Sequence, residues 1–366
     1  MNDSPLLSPV DLGSVTLANR IVMAPMTRLR APDNMPSQAM ANYYKQRASA
    51  GLIITECTMV SATSAAYIGA PGMFHDRFID PWRRITESVH ESGGRIYLQL
   101  WHSGRVAHTT LMPDNMAPLA PSAVPANTEL HTALGKKPAS APRALALDEI
   151  RDLTRAFGRA AERARKAQFD GVEIHGAFGY LIDQFLQDGS NKRTDAYGGN
   201  YENRTRFLLG VLSAVQQEFG RNVGLKLSPS SRAHSMSDSD PVGLFSFLLD
   251  ALNDTDLAYL HMMEALPTDH ASGVTIKNIT RFSREHYRGT IIANGGFDQA
   301  RGEDIVRSGS ANLVSFGQPF IANPDLVERF QNNFPLSEPN FAYLYAIPGQ
   351  PLELGYTDYP LMDTTR

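Results

Sequence analysis

The sequence contains a single cysteine, Cys57, among 366 residues, so no disulfide can form within the chain. This fits a reducing compartment. No apolar run approaches the roughly 20 residues that a membrane-spanning helix requires. The first residues, "MNDSPLLSPVDLG", have neither the charged nor the apolar region of a secretion signal. We therefore expect a protein that is neither secreted nor bound to a membrane, and a cytoplasmic location.

An excess of charge of one sign is also missing. The 34 basic and 38 acidic residues give a formal net charge of −4, and they are spread along the chain. No basic stripe is available to hold a phosphate backbone, so we expect no nucleic acid partner. The composition is that of an ordinary globular protein, and no change in composition marks a boundary. We predict one domain over residues 1–366.

Short β-branched apolar runs alternate with amphipathic stretches along the chain. Eight such runs begin at Arg20, Leu52, Arg95, Gly171, Val223, Leu257, Thr290 and Ala311. The predicted helices cover residues 38–49, 82–92, 148–167, 203–219, 241–253, 275–287, 299–308 and 324–333. Eight strand and helix pairs indicate an α/β protein with a closed (β/α)8 TIM barrel, in which active sites lie at the carboxyl ends of the strands.

Residues 102–147, which follow the third predicted strand, are rich in Pro and Ala and show no clear period. The interval is too long for an ordinary connection. We predict that it is a functional excursion over the barrel mouth.

Polar residues and glycines cluster where the apolar runs stop. Taken singly, each is more often a structural residue or part of a turn. Taken together, they indicate a pocket with amide and hydroxyl groups beside two glycine sites after the last two strands, where barrels often bind phosphate. A phosphorylated ligand is therefore expected, and no metal-ligating set is predicted. The strand ends present Pro25, Met26, Thr27, Glu56, Cys57, Gln99, His175, Lys226, Met263, Glu264, Asn294, Gly295, Gly296, Gly317 and Gln318.

Several long motifs together resemble the Old Yellow Enzyme family of FMN-dependent ene-reductases, which includes N-ethylmaleimide and nitrate-ester reductases. The resemblance runs from about residue 6 to residue 360, and its motifs include "NRIVMAPMTRLR", "QLWHSGR", "EIHGAFGYLIDQFLQDGSNKRTDAYGG", "ANGGFD", "FGQPFIANPDLVERF" and "GYTDYP". It implies FMN as cofactor, NADPH or NADH as reductant and a small-molecule substrate. The expected assembly is a monomer or a small homo-oligomer.

The resemblance also implies cofactor contacts at matching positions. Thr27 would bond the flavin near its N5 atom and C4 carbonyl, Gln99 would bind the pyrimidine edge, and Lys226 would face N1 and the C2 carbonyl. The flavin ring system would be lined by Pro25, Met26 and Cys57. Gly296, Gly317 and neighbouring amides would hold the phosphate, with Gln318 at the position of the usual phosphate-binding Arg. The implied cofactor-binding set also includes His175, Asn294 and Gly295.

On the substrate side the resemblance implies a wall made of Tyr67, Trp101 and Tyr356. Hydride would pass from the flavin to the β-carbon of an electron-poor alkene. His175 would donate a hydrogen bond to the carbonyl oxygen, and Tyr180 would protonate the α-carbon as general acid.

Three positions that face ligands depart from the family pattern. Phe178 stands where the family has His or Asn, and a phenyl ring cannot donate a hydrogen bond to the substrate oxygen. Lys226 replaces an Arg, which keeps the charge but loses the planar fork. Gln318 replaces an Arg on the phosphate, and losing that charge-assisted bond costs about 1 to 3 kcal/mol, or ten- to a hundredfold in flavin affinity.

Two hypotheses therefore remain open. A flavin-dependent reductase of enones, maleimides and nitroalkenes is supported by Thr27, Gln99, His175 and Tyr180. A redox-neutral isomerase or cyclase on the same barrel, with weakened or lost FMN binding, is supported by the three departures. A non-catalytic binding protein is the least favoured interpretation, because Tyr180 and its loop are intact.

Overall fold

A computed structural model describes residues 4–271 and 275–362. Within them, eight parallel strands form a closed barrel. The barrel closes because the fourth strand pairs with both the third and the fifth, and the eighth pairs with the first. The (β/α)8 prediction is confirmed. In chain order the barrel strands are Ile21–Met23, Leu52–Ile54, Ile96–Trp101, Gly171–Gly176, Val223–Leu227, Tyr259–Met263, Ile291–Asn294 and Leu313–Phe316.

Helices surround the barrel close to the predicted positions. The sixth was predicted from residue 275 but begins at Ile279, after the left-handed backbone of Asn278. The long helices are Gln38–Lys45, Ile79–His90, Leu147–Lys166, Tyr201–Phe219, Pro241–Leu252, Ile279–His286, Gln299–Arg307 and Leu326–Asn332. Sequence periodicity missed three helices of one or two turns that follow strands four, six and eight, namely Leu181–Leu186, Pro267–His270 and Gln318–Ala322.

Helix Leu147–Lys166 shows how the sequence produces this outer layer. Its buried residues recur with helical spacing and form one stripe toward the barrel. At its start, the Glu149 carboxylate accepts the Ala146 N–H at 2.8 Å and pairs with Arg143 at 2.6 Å. Negative charge in the first turn is favourable because it faces the positive end of the helix dipole. The buried stripe consists of Ile150, Leu153, Ala156, Phe157, Ala160, Ala161 and Ala164.

The amino-terminal end of the barrel is closed by a hairpin. Strands Val10–Leu12 and Val15–Leu17 pair antiparallel, and their Leu12 and Leu17 side chains are buried against the residues that fill the barrel from below. Tyr97 lies above them. Its ring fits only because residue 171 of the neighbouring strand is glycine, where a Cβ would lie 2.3 Å from the Tyr97 ring. The functional site must therefore be at the opposite, carboxyl end.

The excursion over residues 102–147 contains the hairpin strands Glu129–Thr132 and Gly135–Pro138 and a parallel pair, Leu119–Ala120 with Arg143–Ala144. It is tied to the barrel mouth by the buried Arg105. Its guanidinium donates to backbone carbonyls on both sides: Val124 and Pro125 in the excursion, and His234 and Ser235 in the loop after strand five.

Two buried arginines next to the first strand hold the carboxyl-terminal segment against the barrel. Arg28 donates to the carbonyls of Leu344 at 2.8 Å and Gly355 at 2.6 Å. Arg30 donates to the carbonyls of Leu344 at 2.7 Å and Leu354 at 2.9 Å. We call this pair and the carbonyls it binds the arginine clamp. It places residues 341–357 beside the barrel mouth.

Replacing Arg30 by Leu should destabilise the protein. Arg30 is 1% exposed, and each of its five carbonyl partners would lose a hydrogen bond, with only the Leu344 carbonyl keeping the one from Arg28. We expect the free energy of unfolding, measured in urea, to fall by ~3 kcal/mol. Arg307→Leu is the control, because Arg307 is half exposed and its pairs with Glu303 and Asp304 contribute little. Equal effects of both variants would contradict this role of the clamp.

Candidate active site

A cavity of about 250 Å³ lies where the first five barrel strands end. Each of these strands contributes at least one side chain at its carboxyl end, as the geometry of a parallel barrel requires. Eight predicted site residues meet here, and the roles given to them stay predictions. The lining residues are Pro25, Thr27, Cys57, Gln99, His175, Phe178, Tyr180 and Lys226, together with Ala233 and His234, which sequence reasoning missed.

A buried carboxylate lies beneath the cavity. Glu173 accepts hydrogen bonds from Gln99 Nε2 at 2.7 Å and His261 Nδ1 at 2.8 Å. Burial alone would raise the pKa of Glu173, but His261, Lys226 and Gln99 hold it below its usual value. Burial lowers the pKa of His261 to about 4, so this imidazole is neutral and its Nε2 accepts from the Ser315 hydroxyl at 2.7 Å. The carboxylate is ionised, and each of its two oxygens accepts a hydrogen bond.

This carboxylate fixes the neighbouring amide. Because Gln99 Nε2 donates to Glu173, its Oε1 is the acceptor, and it accepts the Cys57 thiol at 3.2 Å. Burial raises the pKa of Cys57 to about 12, so the thiol stays protonated. The cavity floor therefore presents a neutral thiol and an amide of known orientation.

Lys226 places a buried cation at the cavity edge. The side chain is 3% exposed, and burial lowers its pKa. Among the residues that the structure describes, its ammonium has one hydrogen-bond partner, Asn294 Oδ1 at 3.3 Å, and it lies 5.6 Å from the centre of the Phe178 ring. An ammonium group carries three donors. The Lys226 ammonium therefore has donors available for a ligand that carries negative charge at this edge of the cavity.

His175 is a neutral hydrogen-bond donor. Its Nδ1 accepts the Ala177 N–H at 3.3 Å, so the proton of the neutral ring lies on Nε2. Burial, and then the positive charge of Lys226, lower its pKa to about 3. The imidazole therefore keeps this state at every ordinary pH.

Tyr180 is a protonated phenol at the cavity wall. Its hydroxyl lies 2.8 Å from the hydroxyl of Tyr67, and its ring contacts His175 at 5.1 Å and Trp101 at 5.2 Å between centroids. Burial raises the pKa of Tyr180 well above its usual value of 10 and that of Tyr67 to about 12. Both phenols hold their protons at neutral pH.

The loop between strand four and Tyr180 aims Phe178 at the cavity. Phe178 and Gly179 both have left-handed backbone, with φ of 52° and 72°. Their N–H groups donate to Ser228 Oγ and Asp183 Oδ2, each at 2.8 Å. At Gly179 a Cβ would lie 2.7 Å from Met236, so this position requires glycine. The phenyl ring is thus held in the lining by fixed backbone.

The predicted substrate wall is only partly where we expected it. Tyr67 and the fully buried Trp101 stack on one another behind Tyr180. Tyr356 is fully buried, stacks on Tyr43 with 3.9 Å between ring centroids and is not among the residues that line the cavity, so its place on the substrate side stays a prediction.

A second tyrosine of the same carboxyl-terminal segment lies near two residues of the site. Tyr345 is 48% exposed and lies near enough to Tyr67 and Tyr180 to contribute to their raised pKa values. The sequence offered no means of choosing between the tyrosines of this segment, since the choice depends on the arginine clamp.

The residues predicted around a phosphate lie beside strands seven and eight, outside the lining of this cavity. Gly295 and Gly296 line a separate groove of about 630 Å³, together with Arg281 and Arg301. A Cβ on Gly296 would meet nothing within 4 Å, so its backbone is open to a ligand. Across from it, Gly317 lies next to Met26, and the exposed Gln318 begins the short helix Gln318–Ala322.

These residues fit a bound FMN. A buried ammonium with free donors suits a ring system that gains negative charge, and open glycine backbone after the last two strands suits a phosphate. Among residues 4–271 and 275–362, no group of three His, Cys, Asp or Glu side chains is placed to hold a metal. The fold and the site together define a flavin-dependent oxidoreductase of the TIM-barrel type.

Comparison with known proteins agrees. The model of the NADH:flavin oxidoreductase / NADH oxidase family matches residues 5–337. The 12-oxophytodienoate reductase 1 of Oryza sativa subsp. japonica is 40% identical over 362 residues, covering 98% of this chain and 93% of that relative. The structure of morphinone reductase in complex with tetrahydroNAD is 41% identical, covers 99% of both chains and has a TM-score of 0.92. The Old Yellow Enzyme homologue of Zymomonas mobilis is 41% identical, covers 98% of this chain and 99% of that one, and has a TM-score of 0.92.

This chain therefore belongs to the NADH:flavin oxidoreductase / NADH oxidase family, the family of Old Yellow Enzyme. Its cofactor is FMN and its reductant a nicotinamide nucleotide. The resemblance inferred from the sequence motifs is confirmed.

Cys57 should resist alkylation in the native protein. With a pKa of about 12, its thiolate fraction at pH 8 is lower than that of a free thiol by roughly 10³-fold, and the thiolate is the reactive form. We expect slow labelling by iodoacetamide, measured by mass spectrometry, and rapid labelling in urea. As the chain has one cysteine, the signal is unambiguous. Prompt labelling of the folded protein would show that the thiol is not held as described.

Proposed function

We propose that this protein reduces the C=C bond of small electron-poor alkenes such as enones, maleimides and nitroalkenes, with His175 and Tyr180 as the catalytic residues. One observation carries the proposal. A neutral imidazole and a protonated phenol line the same cavity with 5.1 Å between their ring centroids, and burial holds each in its donor state. This is the pair of groups that an enolate forming in the cavity requires.

When bound, FMN supplies a hydride that it has taken from NADH or NADPH. His175 donates its Nε2 proton in a hydrogen bond to the carbonyl oxygen of the alkene and stabilises the negative charge that develops there. Because its pKa is about 3, the ring remains a neutral donor and does not become an imidazolium near neutral pH.

Tyr180 gives its hydroxyl proton to the α-carbon. A phenol with a raised pKa is a weak acid, so the phenolate that remains needs a partner. Tyr67 supplies it, since its hydroxyl lies 2.8 Å away and can donate once Tyr180 has lost its proton. Tyr67 would therefore support the acid in addition to its predicted place on the substrate side.

Lys226 holds negative charge at the edge of the bound ring system. Its ammonium lies beneath the cavity rim, close enough to Glu173 to feel its charge. A redox-neutral isomerase or cyclase would use His175 and Tyr180 in the same way but has no need of this buried cation. Lys226 thus favours the reductive function over the alternative, although Phe178 does lie in the lining as the alternative requires.

In the described part of the chain, no helix has the length and apolar character that crossing a bilayer would take. We propose that the protein works in the cytoplasm on small molecules, without a nucleic acid partner, as a monomer or a small homo-oligomer. The spread of charge along the sequence supports the absence of a nucleic acid partner.

FMN binding should be measurable and improvable. We expect the denatured holoprotein to release about one equivalent of FMN. Gln318→Arg, which supplies a cation beside the glycine sites, should tighten FMN binding by about ten- to a hundredfold in a fluorescence titration. Gln217→Arg, exposed on the outer helix Tyr201–Phe219, adds the same charge elsewhere and should change nothing. An apoprotein that does not perturb added FMN would refute the proposed function.

Tyr180→Phe removes one hydroxyl and should separate the two half-reactions. Flavin reduction by NADPH or NADH should survive, because the phenol is not part of the cofactor contacts. Alkene reduction should fall by roughly 10²- to 10⁴-fold, the usual scale of general acid catalysis. Stopped-flow measurement of each half-reaction tests this. If both half-reactions lost the same factor, Tyr180 would be a packing residue.

A further inference from the structure

The cavity contains a second imidazole that the mechanism above does not use. His234 follows strand five and lines the same cavity as His175, Phe178 and Tyr180. Its ring contacts the ring of Tyr180 with 5.6 Å between centroids. Both histidine rings therefore contact the ring of the proton donor.

One ring nitrogen of His234 is occupied and the other is free. Nδ1 forms a hydrogen bond with Thr128 Oγ1 at 3.1 Å, which anchors the ring to the excursion. Among the described residues, none bonds Nε2. In the neutral tautomer in which Nδ1 accepts from the Thr128 hydroxyl, the proton lies on Nε2, which can then donate to a ligand. Burial, and then Arg105, lower the pKa of His234 to about 4, so the ring is neutral in use.

The backbone that carries His234 is strained and held in place. His234 and Ser235 both adopt left-handed backbone, with φ of 56° and 59°, which non-glycine residues rarely do. Arg105 donates to both of their carbonyls, at 3.1 and 3.3 Å, and Ser235 Oγ accepts the Asn127 N–H at 3.0 Å. Strain that the surroundings maintain in this way is typical of functional positions.

We propose that His234 is a specificity-determining residue whose Nε2 binds a second oxygen atom of the substrate, so that the cavity prefers alkenes carrying a carbonyl on each alkene carbon. The inference rests on the proposed function. Phe178 cannot donate, so His175 and His234 are the two histidines that the lining offers to a substrate oxygen. A substrate with one carbonyl uses His175 alone, whereas a cyclic imide can use both imidazoles.

The test compares two acceptors of the same ring size. 2-Methylmaleimide has two carbonyl oxygens, and 2-methylcyclopent-2-enone has one. His234→Phe keeps a ring against Tyr180 but removes the nitrogen. In the FMN-saturated holoenzyme we expect its kcat/KM to fall by about 10- to 100-fold for the imide, and by less than about threefold for the enone. His234→Gln, which keeps a polar group at a similar reach, should recover part of the imide activity.

Two further variants sharpen the comparison. Thr128→Val removes the hydroxyl that holds Nδ1 and should lower imide activity selectively. His131→Phe makes the same change at an exposed position of the excursion hairpin and should leave both activities unchanged. Equal loss for both acceptors in His234→Phe, or no loss for either, would overturn the proposal.

A binding measurement separates this inference from the proposed function. Succinimide and cyclopentanone are saturated analogues that bind without reacting, and their dissociation constants can be read from the flavin absorbance of the oxidised holoenzyme. His234→Phe should weaken succinimide binding by about tenfold or more and spare cyclopentanone. If the wild type reduced neither acceptor, the proposed function would fail, and these constants would still decide for or against His234.

Discussion

The site depends on one buried carboxylate. Glu173 has no exposed surface, and an ionised carboxylate in such a place must be hydrogen-bonded or become protonated. Gln99 and His261 supply the bonds, and Lys226 supplies charge of the opposite sign. The orientation of the Gln99 amide and the direction in which Cys57 donates follow from that requirement, whereas the neutral state of His261 follows from its burial. Changing Glu173 would therefore alter several cavity groups at once.

A second constraint is that burial fixes the protonation states of the cavity groups. Burial moves the pKa of His175 down and that of Tyr180 up, so the usual titrations of both groups lie outside the physiological range. Donors that do not titrate are preorganised for a reaction in which negative charge appears on the substrate. The chemistry is thus set by packing as much as by the identity of the side chains.

The sequence predicted the barrel and most of the cavity, because parallel strands in a closed barrel must bring their carboxyl ends together. It could not predict residues whose position depends on distant contacts. His234 reaches the cavity through Arg105 and Thr128, and Tyr345 is near Tyr67 because the arginine clamp fixes its segment. Short helices such as Gln318–Ala322 are too brief to show a period.

The arginine clamp sets an order of events during synthesis. Arg28 and Arg30 leave the ribosome early, yet their acceptors are carbonyls from Tyr343 to Gly355, more than 300 positions later. Until those residues are made, two guanidinium groups destined for burial must stay in water or find temporary partners. Such long-range closure is slow, and the growing chain is exposed to aggregation meanwhile. A nascent barrel can assemble its strands before this point, but the segment that the clamp holds joins it last.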